Sequence, residues 1–89
     1  MTARLVPAAA HPARDKVLRS IASITAAGQG RPPTRREIAA EAGLSPGSIA
    51  YYALLLQVAG LLTNRGGTRG MQVTDAGHRY LRGSVGGRL

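Results

Sequence analysis

The sequence predicts a mainly α fold: three helices, a small two-stranded β-hairpin and a short C-terminal helix. Three observations carry this expectation. In Pro32–Gly60 a helix start, a glycine and a second helix start follow in close order. Before it, residues 13–27 repeat apolar side chains at spacings of three and four. After it, two short apolar runs bracket a segment rich in glycine and arginine.

Residues 1–11 are rich in Ala and Pro without a usable period and read as a tail. Pro12 suits a first helical turn. Val17, Leu18, Ile21, Ala22 and Ile24 then form one apolar face, with Arg14, Asp15, Lys16 and Arg19 placed away from it. Gly28 and Gly30 are expected to stop this helix, and Pro32-Pro33 stiffens the connection onward.

Thr34 and Glu37 have the spacing of a capping box, in which each side chain satisfies the other residue's backbone N–H at a helix start. That helix is expected over 35–42, with Ile38 and Ala42 on one face. Gly43 can take the left-handed conformation that ends it. Ser45 and Pro46 then provide an N-cap and a first-turn proline for a third helix over 46–59, ended by Gly60. Helix, glycine turn and helix together form a helix-turn-helix signature.

Strands are expected at 61–63 and 71–73, joined by the basic tip 64–70. Thr74 caps a last helix over 75–82, whose Asp75 complements the helix dipole and whose Tyr80 and Leu81 can cover the core. Residues 83–89 read as a second tail. The whole is a winged helix-turn-helix over 12–82, a single domain.

Composition limits what such a domain can do. Only Tyr51, Tyr52 and Tyr80 are aromatic, so the core must be aliphatic. The absence of cysteine excludes a disulfide framework, a thiolate zinc site and a cysteine nucleophile, with a reducing cytoplasm as the default compartment. The run Leu5–Ala10 is too short for a signal peptide, and no window approaches a membrane span.

A net charge of +8 favours a polyanionic partner, and nucleic acid comes first. Eleven of the twelve cations are arginines, which a GC-rich genome also produces, so position rather than total must decide. Asp15, Glu37, Glu41 and Asp75 are explained as helix-start, capping or surface residues, and His11 and His78 lack a partner in the sequence. No enzyme, cofactor, metal site or small-molecule effector is expected.

On a helical wheel the third helix turns Ile49, Ala53 and Leu56 inward, with Tyr52 on the border between core and surface. Gly47, Ser48 and Tyr51 lie opposite, near the end that a helix-turn-helix inserts into the major groove. Ser48 can bond a base edge or phosphate, Gly47 allows close approach, and the Tyr51 ring can meet a thymine methyl. Farther along, Leu54, Leu55 and Val58 stand where a solvated helix would carry charge. A second copy of the chain is the expected cover, forming a homodimer; the first helix or the N-terminal tail are the alternatives.

Arg65 and Arg69, flanking Gly66, Gly67 and Thr68, suit a phosphate backbone or minor groove. Arg35 and the helix starts at Thr34 and Ser45 are expected to surround the same end of the third helix.

The run Pro32-Pro33-Thr34-Arg35 with Glu37-Ile38-Ala39, then Gly43, Ser45-Pro46 and Gly60, resembles the winged-helix DNA-binding domain of LexA-type repressors over roughly residues 14–73. The Val73-Thr74-x-x-Gly77 pattern resembles winged-helix regulators more widely, MarR-like ones included. The resemblance implies that Thr34 and Arg35 approach the DNA backbone, that Ser45, Gly47, Ser48, Ala50 and Tyr51 face bases, and that 65–69 form the wing. The Asn and paired Glu that those repressors present to bases correspond here to Gly47, Ala50 and Tyr51, so their operator preference does not carry over. Their self-cleaving dimerisation domain is not among these 89 residues.

The expected function is sequence-specific binding of double-stranded DNA by a small repressor-like regulator in a bacterial, phage or plasmid nucleoid. Two alternatives stand beside it: a protein-interaction module docking through Leu54, Leu55 and Val58, and a non-specific nucleoid-type binder.

Overall fold

The computed structural model describes residues 12–66 and 70–86. The tail 1–11, the tip residues 67–69 and residues 87–89 lie outside the described residues. Four helices and a two-stranded antiparallel hairpin follow in the order α1 (Pro12–Ala27), α2 (Arg35–Ala42), α3 (Pro46–Val58), β1 (Leu62–Asn64), β2 (Met71–Val73) and α4 (Asp75–Gly86). In the hairpin Leu62 faces Val73, Thr63 faces Gln72 and Asn64 faces Met71.

α1 is the central element and packs against α2, α3, β2 and α4. Its Val17, Leu18 and Ile21 meet Ile38, Ala39 and Ala42 of α2 and Ile49, Ala53 and Leu56 of α3, while Leu61, Leu62 and Met71 close the core from the hairpin. Each fully buried Leu, Ile or Val contributes about 1.5–3 kcal/mol relative to exposure. As the composition requires, this core is aliphatic; Tyr52, Tyr80 and Leu81 pack on its margin.

The helix ends differ from expectation in informative ways. At the end of α1 both Gln29, at φ 59°, and the expected Gly30, at φ 92°, take positive φ, and the Gly30 N–H reaches the Thr25 carbonyl at 2.8 Å. The stop is set by backbone hydrogen bonding, and Gln29 adopts a conformation that costs a non-glycine side chain on the order of 1 kcal/mol. A Gln29→Gly chain is therefore expected to gain about 0.5–1 kcal/mol, read as a higher urea midpoint. An unchanged or lower midpoint would count against this geometry.

α3 ends at Val58, and the Leu61 N–H bonds the Leu56 carbonyl at 3.0 Å, which takes Leu61 out of the strand and moves β1 to Leu62–Asn64. α4 runs past Arg82 to Gly86, so the expected C-terminal tail begins later than 83. Gly83 does not break it, because an interior glycine costs a helix only about 1 kcal/mol.

The largest correction concerns Arg14 and Asp15, both nearly buried although the wheel places them on the solvent side. α4 docks against α1 and lays Tyr80 across them. The Tyr80 hydroxyl donates to the Asp15 carboxylate at 2.8 Å, and Arg14 Nη2 donates to Asp15 at 3.3 Å and to the Tyr80 oxygen at 3.2 Å. The guanidinium also lies 5.6 Å from the centroid of the Tyr80 ring.

Thr74 joins the ends of three elements. Its N–H bonds the Leu61 carbonyl at 3.1 Å, its hydroxyl donates to the Gly60 carbonyl at 2.8 Å, and its oxygen accepts the Gly77 N–H at 2.9 Å. The Val-Thr-x-x-Gly pattern thus has a local cause: one side chain ties the end of α3 to the start of α4.

Candidate nucleic-acid interface

α2 starts with the expected capping box. Thr34 Oγ1 accepts the Glu37 N–H at 3.1 Å, and Glu37 Oε1 accepts the Thr34 N–H at 2.7 Å. With Thr34 occupied in this way, the N–H groups of Arg35 and Arg36 in the first turn have no intrahelical acceptor. Both arginine side chains are exposed. Arg36 escaped the sequence reading although it adjoins Arg35; its neighbour's position in the first turn was the available signal.

Gly43 takes φ 72°, the left-handed geometry that lets the chain turn within two residues into the cap of α3. Ser45 Oγ accepts the Ser48 N–H at 3.2 Å and donates to Ser48 Oγ at 3.0 Å. Ser48 is therefore half-engaged by the cap, and one hydroxyl proton remains for an external acceptor. Gly47 and Ala50 are exposed.

Tyr51 is 58% exposed, and its ring meets that of Tyr52 edge-on with centroids 5.2 Å apart. Tyr52 packs against the core margin and supports the outer ring. The position on the border of the wheel thus goes to packing. Leu55 is half-buried, so the outward apolar stripe consists of Tyr51, Leu54 and Val58, the latter two 57% and 81% exposed. The Gln57 amide turns back to donate to the Ala53 carbonyl at 3.3 Å. The exposed face of α3 consequently carries no charge, and its polar side chains are the Tyr51 phenol, the half-engaged Ser48 hydroxyl and the Gln57 amide folded back on its own helix.

In the hairpin, the Arg65 N–H bonds the Gly70 carbonyl at 3.1 Å and Asn64 Oδ1 accepts the Gly66 N–H at 2.9 Å, closing the base of the tip. The Arg65 side chain is exposed. Thr68 and Arg69 lie outside the described residues. No hydrogen bond or ion pair among the described residues joins Arg35 or Arg65 to the start of α3.

The distribution of charge is one-sided. Lys16, Arg19, Arg31, Arg35, Arg36, Arg65, Arg79 and Arg82 are exposed, and none has an ion-pair partner among the described residues. Of the four carboxylates, Asp15 is buried with Arg14 and Tyr80 and Glu37 is engaged in the capping box, leaving Glu41 and Asp75 exposed. Burial and capping thus withdraw half of the negative charge from the surface while removing one cation, Arg14.

Among the described residues no three His, Cys, Asp or Glu side chains gather as a metal site requires. His78 lines a shallow groove with Ala22, Thr25 and Val73, and no carboxylate lines it. No described helix is long and apolar enough to cross a membrane. Compared with protein-family models, with curated proteins and with solved structures, the chain gives no match in any of the three.

Proposed function

We propose that this chain is a small sequence-specific double-stranded DNA-binding protein, a repressor-like transcriptional regulator with a winged helix-turn-helix resembling that of LexA-type repressors. α3 enters the major groove, and the hairpin lies as a wing along the phosphate backbone or minor groove. One observation supports the reading: among the described residues the exposed cations have no ion-pair partner, and two of the four carboxylates are consumed inside the fold. Such a surface gains by releasing the counterions condensed on a duplex.

Salt dependence tests it. With about five phosphate contacts, the slope of log affinity against log salt is expected near −4 to −5, measured by fluorescence anisotropy on a labelled duplex. Replacing Arg35, Arg36 and Arg65 together by Ala should flatten that slope by about 2–3 and weaken binding uniformly across sequences. Binding that is flat with salt overturns the mechanism. Competition by many random duplexes that enriches no sequence would reassign the chain to non-specific nucleoid-type binding.

The exposure of Leu54 and Val58 favours one other reading, a protein-docking face or a homodimer contact. Sedimentation across protein concentration separates it. A Val58→Asp chain that loses an oligomer while keeping its DNA affinity would place the partner at this end of α3.

A further inference from the structure

We infer that α3 reads sequence by apolar contact with thymine methyl groups, through Ala50, Tyr51 and Leu54. The inference rests on the DNA-binding reading above and names what that site recognises. Bases in the major groove are distinguished by hydrogen-bonding groups and by the thymine C5-methyl. Reading guanine or adenine takes a fork of donors and acceptors, such as Arg, Lys, Asn or Gln supply. The outward face of α3 has none of these. Its one amide, Gln57, donates to its own helix, and its serine, half-engaged by the cap, offers a single O–H and no fork.

What this face does present is a run of apolar surface, Ala50 with Tyr51 and then Leu54 one turn on, at the spacing that keeps side chains on one side of a helix. Tyr51 is held by its edge contact with Tyr52, which is itself anchored on the core, so the ring is presented with little freedom to lose. The occupant is assigned by charge. The chain that carries this uncharged helix face has a net charge of +8 and exposed cations on α1, α2 and the hairpin with no ion-pair partner among the described residues, which favour a duplex over a neutral or basic protein, a second copy of this basic chain included. Affinity and discrimination are thereby divided: arginines on other elements hold phosphates, and α3 contributes a methyl-sensing surface.

The test uses deoxyuridine, which lacks the methyl but pairs identically. The full chain is titrated against a duplex recovered by selection from random DNA, then against copies in which single thymines are replaced by deoxyuridine; an oligo(dA)·oligo(dT) duplex and its deoxyuridine counterpart serve if no sequence is enriched. Each contacted thymine replaced is expected to weaken binding about three- to five-fold, the effect of one buried methyl-sized group. A Leu54→Ala chain should lose this discrimination at one or more positions with its salt slope unchanged, whereas Arg65→Ala should lower the slope and keep the discrimination. Leu54 is exposed, and far-UV circular dichroism verifies that the variant is folded.

Salt-steep binding with no position sensitive to deoxyuridine overturns the inference and leaves the DNA-binding reading standing. No binding to any duplex overturns both. If Leu54→Ala splits a dimer and leaves the thymine-to-deoxyuridine ratio intact, the face belongs to a protein contact and the inference fails.

Discussion

A Gly77→Ala chain is expected to lose about 3 kcal/mol of stability, toward the upper end of what overpacking a well-filled site costs. A Cβ at this position would press on the Leu61 carbonyl oxygen and come within 2.6 Å of Val73 Cγ1 and 3.2 Å of the Leu61 carbonyl carbon. Backbone cannot yield as a flexible side-chain end can. The Leu61 oxygen accepts the Thr74 N–H, and Thr74 in turn holds Gly60 and Gly77, so displacing the carbonyl disturbs the junction of α3, β1 and α4 together. Gly83 provides the control, because it lies in the same helix with nothing near its absent Cβ. Gly83→Ala is expected to gain about 0.5–1 kcal/mol from helix propensity alone. The urea midpoint should fall by about 1–3 M for Gly77→Ala and rise slightly for Gly83→Ala. Midpoints that move together would show that glycine at 77 answers to helix propensity and not to the approach of Leu61.

The signals legible in the sequence were local ones. The capping box at Thr34 and Glu37, the Ser45-Pro46 start and the inward stripe Ile49, Ala53 and Leu56 depend on residues a turn or two apart, and all stand as expected. Arg14 and Asp15 were misplaced because the partner that buries them, Tyr80, lies 65 or 66 residues away, where no helical wheel reaches. Gly30 takes the positive φ that its residue type suggests, whereas Gln29 beside it does so too although residue type alone favours glycine there.

The candidate interface divides in the same way. Exposure of Gly47, Ala50, Tyr51, Leu54 and Val58 follows from helical period. That Ser48 is engaged by Ser45, that Gln57 folds back on Ala53 and that Leu55 turns partly inward depends on rotamers and neighbours which period does not specify. The same holds for charge. The total of +8 was ambiguous, and only the pairing of Asp15 and the capping by Glu37 establish how little negative surface remains.

Removing the carboxylate with Asp15→Ala is expected to cost about 3–4 kcal/mol, because it leaves the Arg14 charge almost buried without its counter-ion. The ion pair itself is a weak source of net stability, since desolvation offsets most of its attraction. A double change, Arg14→Met with Asp15→Leu, is therefore expected to be near neutral, within about 1 kcal/mol of the native chain. Tyr80→Phe should cost about 1.5–3 kcal/mol by deleting the hydrogen bond to the charged Asp15 acceptor together with the one that Arg14 donates to the phenol oxygen. Burial first, and then the hydrogen bond to Asp15, hold the Tyr80 phenol above its ordinary value of 10.0. The folded chain thus keeps this proton more tightly than the unfolded one. The associated stability is fully present below the unfolded value and is lost as pH rises through the folded value, on the alkaline side of 10.0. Urea midpoints measured from neutral pH into that window should fall for the native chain and fall less for Tyr80→Phe. If the double change is as damaging as Asp15→Ala alone, the cluster contributes through the shape and bonds of these side chains, and the account based on an orphaned charge is wrong.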